Sequence, residues 1–213
     1  MAKGKSALAL ALKKKIGSND EIQKVTHWIE TGFPPLNKAI SGRYDGGFPC
    51  GRIVEVFGPP SAGKTFLATA AMISAQKQDG LAVFLDHENS FDVGLAVANG
   101  LNADEDDGQW VYKQPDTFED SVELIGTILK LVRDEELIPE SAPICIVADS
   151  LASMVPNSKA EKFEKMAEGT AKDKDQLNMN DNTALARTTS ANFPTLALWA
   201  RKYNACIIFL NQV

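Results

Sequence analysis

The sequence predicts an α/β fold, a mainly parallel central sheet flanked by helices with a small helical and strand appendage ahead of it. Three observations carry this expectation. Apolar runs of strand length alternate with segments of helical length along the 213 residues, the pattern of βαβ units joined by right-handed crossovers. The runs at 81–85, 144–148 and 206–210 are apolar at every position, as strands covered on both faces must be. Finally, Gly58-Pro59-Pro60-Ser61-Ala62-Gly63-Lys64-Thr65 fits G-x-x-x-x-G-K-[ST] at every fixed position, between a run that reads as a strand and one that reads as a helix.

Taken in order, residues 6–16 carry Leu8, Leu12 and Ile16 at helical spacing, with alanines between them and lysines at the C-terminal end, where the helix dipole favours cations. Gly17-Ser18-Asn19-Asp20 stops this helix. It either docks on a neighbouring subunit or folds back on its own domain. Residues 25–29 read as a short strand, Gly32-Phe33-Pro34-Pro35 breaks it, and 36–40 form a helical turn or two before a glycine-rich bend at 42–49. The strand at 52–57 then leads into the loop, and 66–75 form an apolar helix.

Leu81-Ala82-Val83-Phe84-Leu85 is the next strand and ends in Asp86-His87-Glu88, so both carboxylates are expected at the ligand-binding edge of the sheet. Residues 91–99 read as a helix, 103–108 as an acidic loop, 110–112 as a short strand, and 117–133 as an amphipathic helix capped by Asp116 or Thr117. Ile144-Cys145-Ile146-Val147-Ala148-Asp149-Ser150 is a buried strand that terminates in an aspartate. Residues 157–183 turn polar, with lysines and acids that nearly cancel, and composition alone reads them as a solvated, mobile excursion. A helix follows, interrupted at Pro194, with Asn192 able to cap its second part, and 206–210 form the last strand, ending in Asn211-Gln212.

Composition narrows the function classes. With 44% apolar and 23% charged residues the chain is an ordinary globular one, and its apolar runs are too short for a membrane span. The N-terminal apolar stretch is too short for a secretory signal, and Lys13-Lys14-Lys15 stands where a cleavage site of small residues would be needed, which predicts a cytoplasmic protein. Cys50, Cys145 and Cys206 lack metal-ligand spacing and read as core residues; His27 and His87 are too isolated for a metal site. A net charge of −6 and an isoelectric point near 5.0 argue against a broad basic face for nucleic acid. DNA binding would have to use a local patch or an assembled polymer.

The loop's residue types suit a triphosphate. Gly58 and Gly63 let the backbone curl toward the anion, Lys64 reaches the β and γ phosphates, and Thr65 puts its hydroxyl on Mg²⁺. Pro59 and Pro60 have no N–H, so residues from Ala62 to Thr65 supply most of the cradle. Asp149 holds Mg²⁺ through a water, or is a turn residue if the loop is discounted. Glu88, just past a strand end near Lys64 and the metal, can orient a water for attack, or is a surface acid in an ion pair.

Together these motifs make the chain resemble the RecA family of recombinases, in a divergent, phage-type form. The resemblance rests on Gly46-Gly47-Phe48-Pro49-Cys50-Gly51-Arg52-Ile53-Val54-Glu55 before the loop, on Phe84-Leu85-Asp86-His87-Glu88, on Gln114-Pro115-Asp116-Thr117, on Val147-Ala148-Asp149-Ser150, and on Phe209-Leu210-Asn211-Gln212-Val213. It implies a P-loop ATPase core over 33–213 behind an N-terminal polymerisation appendage at 1–32. The activity implied is that of an ATP- and Mg²⁺-dependent protein that forms a helical filament of identical subunits on single-stranded DNA and pairs it with double-stranded DNA for strand exchange. Glu88 takes the place of the family's catalytic glutamate. Gln212 matches its γ-phosphate sensor, a carboxamide able to donate to phosphate, and Asp92 the adenine contact. Arg187 and Ser190 match DNA-backbone contacts, chemistry that suits phosphate oxygens, and 157–183 the first DNA-binding loop. The helix at 6–16 matches the piece that docks on the adjacent subunit.

Two departures bear on affinity. Leu95 stands where the family stacks an aromatic ring on adenine, and Pro194 replaces a basic DNA-contacting position. Compared with the family pattern, the chain also stops before the second DNA-binding loop, the last sheet strands and the C-terminal domain. The expectation is therefore a fragment, or a polypeptide completed by a partner, with an unprotected sheet edge. Two further readings stand beside a recombinase: an ATP-binding RecA-fold module without strand exchange of its own, and a motor or switch ATPase with a partner other than DNA.

Overall fold

The structure, a computed structural model, describes residues 2–16, 24–106, 109–170 and 183–212, with side chains from residue 7 onward. Its chain order is α1 (Ala2–Ile16), β1 (Trp28–Ile29), α2 (Pro34–Ser41), β2 (Phe48–Pro49), β3 (Arg52–Gly58), α3 (Lys64–Gln76), β4 (Leu81–Asp86), α4 (Val93–Ala98), β5 (Trp110–Lys113), α5 (Phe118–Asp134), β6 (Ile144–Asp149), α6 (Asn157–Ala167), α7 (Ala184–Tyr203) and β7 (Ala205–Gln212). A single 3₁₀ turn, Leu151–Ser153, follows β6.

Five strands form one parallel sheet in the order β3-β7-β6-β4-β5, and β1 and β2 pair separately as an antiparallel ribbon. Every residue of β4 and β6 is buried because alternate side chains enter two different cores. Ala82, Phe84, Cys145, Val147, Cys206 and Ile208 pack under α3 with Ala68, Ala71, Met72 and Ala75. Leu81, Val83, Ile144, Ile146, Ile207 and Phe209 face the other way, toward Ile125 and Leu129 of α5 and Leu196 and Ala200 of α7. An α/β sheet with helices on both faces is thus what the alternation of runs predicts.

Local chemistry sets the helix ends. Thr117, not Asp116, caps α5 in a reciprocal capping box, accepting from Asp120 N–H while the Asp120 carboxylate accepts from Thr117 N–H. Where α5 crosses α7, a Cβ on Gly126 would stand 2.8 Å from ring atoms of Trp199, so a glycine there lets the indole lie against the helix. All three cysteines are free and buried in the first core; burial pushes the Cys50 thiol up to about 12, as an inert core thiol requires.

Several expectations are corrected. The helix expected to break at Pro194 runs unbroken from Ala184 to Tyr203, with Pro194 inside it. Leu185 and Phe193 before the proline and Leu196, Ala200 and Tyr203 after it pack in the second core, so both halves are held there. Asn192 caps nothing; its side-chain amide donates to the Thr188 carbonyl at 2.9 Å. The helix expected from Phe91 starts at Val93, because Phe91 turns inward and stacks on Phe84 with ring centroids 4.0 Å apart. The solvated excursion begins as a helix, α6, while residues 171–182 lie outside the described ones. Also outside them are the helix stop at 17–20, the end of the acidic loop at 107–108, and Val213.

Leu8, Leu12 and Ile16 of α1 are exposed. Strand β3 is an edge of the sheet and only half-buried. Among the described residues no helix is long and apolar enough to cross a membrane.

Candidate active site

At the C-terminal end of β3 the chain makes a tight loop, in which Pro59 O accepts from Ala62 N–H at 3.3 Å and Ser61 has a φ of 60°. Gly63, with a φ of 84°, is the left-handed residue that hands the loop over to α3, and Leu67 N–H to Gly63 O is the first bond of the helix. The N–H groups of Lys64, Thr65 and Phe66 therefore precede the intrahelical ladder at the positive end of the helix. A Cβ on Gly58 would meet only Ala62 Cβ, at 3.7 Å, so within the protein itself the demand for glycine is sharper at Gly63. Lys64 Nζ donates to Gly58 O and Pro59 O, both at 2.9 Å, and so ties the start of the loop to the start of the helix. An ammonium held on two carbonyls is placed to exchange them for phosphate oxygens.

One strand pairing assembles the acidic side. Asp86 at the end of β4 and Asp149 at the end of β6 are register partners, and both side chains are buried. Thr65 Oγ1 donates to Asp149 Oδ2 at 2.8 Å, which joins the loop to β6 across the intervening strand β7. Burial raises the Asp149 carboxyl above the usual aspartate range, and the charges of Glu88 and Asp86 add to this, while the Thr65 hydroxyl opposes it. Ionised, this carboxylate sits in a locally negative site that a cation would relieve. Hydroxyl, carboxylate and phosphates are how Mg²⁺ is commonly held, with waters completing the shell. Among the described residues no group of three or more His, Cys, Asp or Glu forms an all-protein metal cage. The Thr65 hydroxyl and the Asp149 carboxylate are oxygen donors of the kind that suits Mg²⁺.

Glu88 is the meeting point of three elements. Its Oε1 accepts from Ser150 Oγ, from Ser153 Oγ at 3.0 Å and from Gln212 Nε2 at 2.7 Å. The Ser150 bond most of all, then those of Ser153 and Gln212 with the nearby Lys64 charge, holds this carboxyl below the usual glutamate range against the opposing effect of burial. All three bonds fall on one oxygen, which fixes the carboxylate plane and leaves Oε2 as the basic face.

Asp86, the other carboxylate of Asp86-His87-Glu88, lies at the C-terminal end of β4 and is taken up by bonds within the protein. Its oxygens accept from the backbone N–H groups of Glu88 at 3.1 Å and Phe91 at 3.1 Å, and from Tyr112 Oη at 2.9 Å. It is spent on shaping the segment that carries Glu88. His87 lies between them, its N–H donating to Asp149 O at 2.7 Å and its Nε2 sharing a 2.7 Å bond with Ser121 Oγ. Burial lowers its pKa, so the ring is neutral at pH 7.

The structure thus brings together Gly58, Pro59, Pro60, Ser61, Ala62, Gly63, Lys64, Thr65, Glu88, Asp149 and Gln212 at one sheet edge. Asp92 lies beside them as the N-cap of α4, where Oδ1 accepts from Leu95 N–H at 2.8 Å, and it shares a cavity with Thr65. Arg187 and Ser190 stand apart from that cluster, three residues apart at exposed positions near the start of α7. Because α7 leads into the parallel strand β7, its start lies at the same end of the sheet as the loop. Sequence reasoning singled out neither Ser153 nor Tyr112. Ser153 could have been found, since a turn of 3₁₀ helix after Ser150 eclipses side chains three apart. Nothing in the spacing marks Tyr112, which reaches Asp86 from a neighbouring strand.

A family model described as the RecA N-terminal domain matches residues 11–213. The protein RecA of Desulforapulum autotrophicum is 35% identical over 201 residues, covering 93% of this chain and 48% of that relative. The protein RecA of Treponema denticola is 36% identical over 199 residues, 93% of this chain and 41% of the relative. That of Oceanobacillus iheyensis is 37% identical over 172 residues, 76% and 44% respectively. The chain spans about half the length of the curated relatives it matches. With the family model covering nearly the whole chain, and a five-stranded parallel sheet whose edge gathers the loop, both strand-end acids and Gln212, the chain belongs to the RecA family.

Proposed function

We propose that this chain is the ATPase core of an ATP-dependent recombinase that polymerises on single-stranded DNA and pairs it with double-stranded DNA for strand exchange. The observation that carries the ATPase reading is the trio of donors on Glu88 Oε1, one of them from Gln212 at the end of β7. A carboxylate with a lowered pKa and one unbonded oxygen can orient a water and accept its proton as the water attacks phosphorus. Lys64 and the N–H groups at the start of α3 would neutralise the phosphate oxygens, while Thr65 and Asp149 would hold Mg²⁺, the aspartate through water. Bound there, the metal supplies charge neutralisation between the phosphates.

Gln212 links this chemistry to the rest of the family's function. A γ-phosphate offers its amide a second acceptor, so ATP can draw Gln212 away from Glu88, freeing that oxygen and shifting the end of β7. Arg187 and Ser190, at the same end of the sheet, are the residues we assign to the DNA backbone, and the exposed apolar positions of α1 to docking on an adjacent subunit. A narrower reading, an ATP-binding module without strand exchange of its own, would use the same loop, Glu88 and Gln212.

ATP hydrolysis by the chain at low salt, with and without single-stranded DNA, tests both. Stimulation by DNA that Glu88→Gln abolishes supports the recombinase reading. ATP binding without turnover under either condition leaves the binding module, and failure to bind ATP sinks both.

A further inference from the structure

The phosphate side of the site accounts for Lys64 and Thr65 but gives no role to the residue after them. Phe66 is 48% exposed, a large apolar ring left half in water in the first turn of a helix most of whose later residues are buried. It lines a cavity of about 210 Å³. Thr65 and Thr69 of α3 line it as well, together with Phe91, Asp92 and, from α4, Leu95. Leu95 is 59% exposed.

Position makes this cavity an extension of the loop. Thr65 borders it, and the same Thr65 binds Asp149 on the phosphate side. At about 210 Å³ it is smaller than the roughly 300–1,000 Å³ of pockets that hold a whole ligand, a size suited to one end of a larger molecule. Its two exposed apolar lining residues come from different helices, Phe66 from α3 and Leu95 from α4, which makes the cavity an apolar-lined slot suited to a flat group. Asp92 uses Oδ1 to cap α4 and has Oδ2 left to accept from an amino group at the slot's rim.

We propose that Phe66 is a base-binding residue: it stacks against the nucleotide's base from the α3 side, opposite Leu95, and supplies the aromatic face that Leu95 cannot. The inference rests on the nucleotide reading of the loop. It also gives a role to the half-exposed ring, which is tilted at 59° to Phe33 with centroids 6.3 Å apart. One residue would then serve both ends of the ligand, its N–H at the phosphates and its ring at the base.

Binding of ATP and of inorganic triphosphate, each with Mg²⁺, to the full chain and to Phe66→Ala tests this. Stacking of a base on an aromatic ring predicts that Phe66→Ala weakens ATP roughly five- to hundredfold. Inorganic triphosphate, which has no base, should bind the variant as it binds the parent. Equal weakening of both ligands would assign Phe66 to the loop's structure instead, and no change in either would overturn the proposal. A parent chain that binds neither ligand sinks the nucleotide reading itself, a result distinct from these. Phe66→Trp guards against misfolding of the alanine variant: its added fluorescence should respond to ATP and not to triphosphate, and an equal response to both counts against stacking.

Discussion

The bodies of the sheet strands and their C-terminal ends belong to the same strands and obey opposite rules. From Ile144 to Ala148 the side chains of β6 are fully buried and apolar; one residue further, Asp149 is a buried acid with a raised pKa. β4 likewise passes from an apolar run to a buried acid, Asp86, and β7 to the less buried amides Asn211 and Gln212. Burial that stabilises the body is turned at the edge into an electrostatic cost, concentrated where a charged ligand could relieve it. The lesson is that stability and chemistry in this molecule are separated by a single residue along each strand, so substitutions on either side of that line should separate too.

The largest effect is expected in the body. Ile207 is fully buried in β7, between β3 and β6, and belongs to the core under α5 and α7. Ile207→Ala should cost about 2–5 kcal/mol, the loss of transfer free energy plus a cavity. Denaturant unfolding should show it. A cost near zero would mean that the sheet's centre can collapse around the gap.

At the edge the sign reverses. A carboxyl whose folded pKa is raised destabilises the fold once it is ionised; that cost is absent below the ordinary aspartate range and grows as pH rises through the folded value. Asp149→Asn removes the charge yet keeps an oxygen to accept from Thr65. The variant should melt a few degrees higher than the parent at pH 7, the two should converge in acid, and the Mg²⁺-dependent part of ATP affinity should be lost. A lower melting temperature at pH 7 would contradict the assignment of Asp149 as an uncompensated charge.

The same line divides what the sequence made legible from what it did not. Runs such as Leu81-Ala82-Val83-Phe84-Leu85 announce strands because hydrophobic burial is a property of single residues, summed along the chain. The loop was legible because its glycines, lysine and threonine are contiguous. The division of labour between Asp86 and Glu88 was not, since it depends on Tyr112 and on three backbone N–H groups that only the folded chain brings to Asp86. Pro194 misled for a related reason: the local penalty for a proline in a helix is set by its own bonds, and here tertiary burial on both sides outweighs it.

The smallest effect sharpens the comparison most, because it alters a functional pKa without touching the core. Ser153 Oγ donates to Glu88 Oε1 at 3.0 Å, alongside the stronger contribution of Ser150. A carboxyl lowered by such donors stays ionised as pH falls through the ordinary glutamate range, so the proposed base keeps working in mild acid. Ser153→Ala removes one donor and should move the acidic limb of the ATPase pH profile to higher pH. Ser150→Ala should move it further, since that bond is the larger cause. In both variants the rate on the neutral plateau should change less than the rate in acid. A uniform fall at all pH values, with the limb in place, would mean that the serines support the turn and leave the charge on Glu88 unaffected.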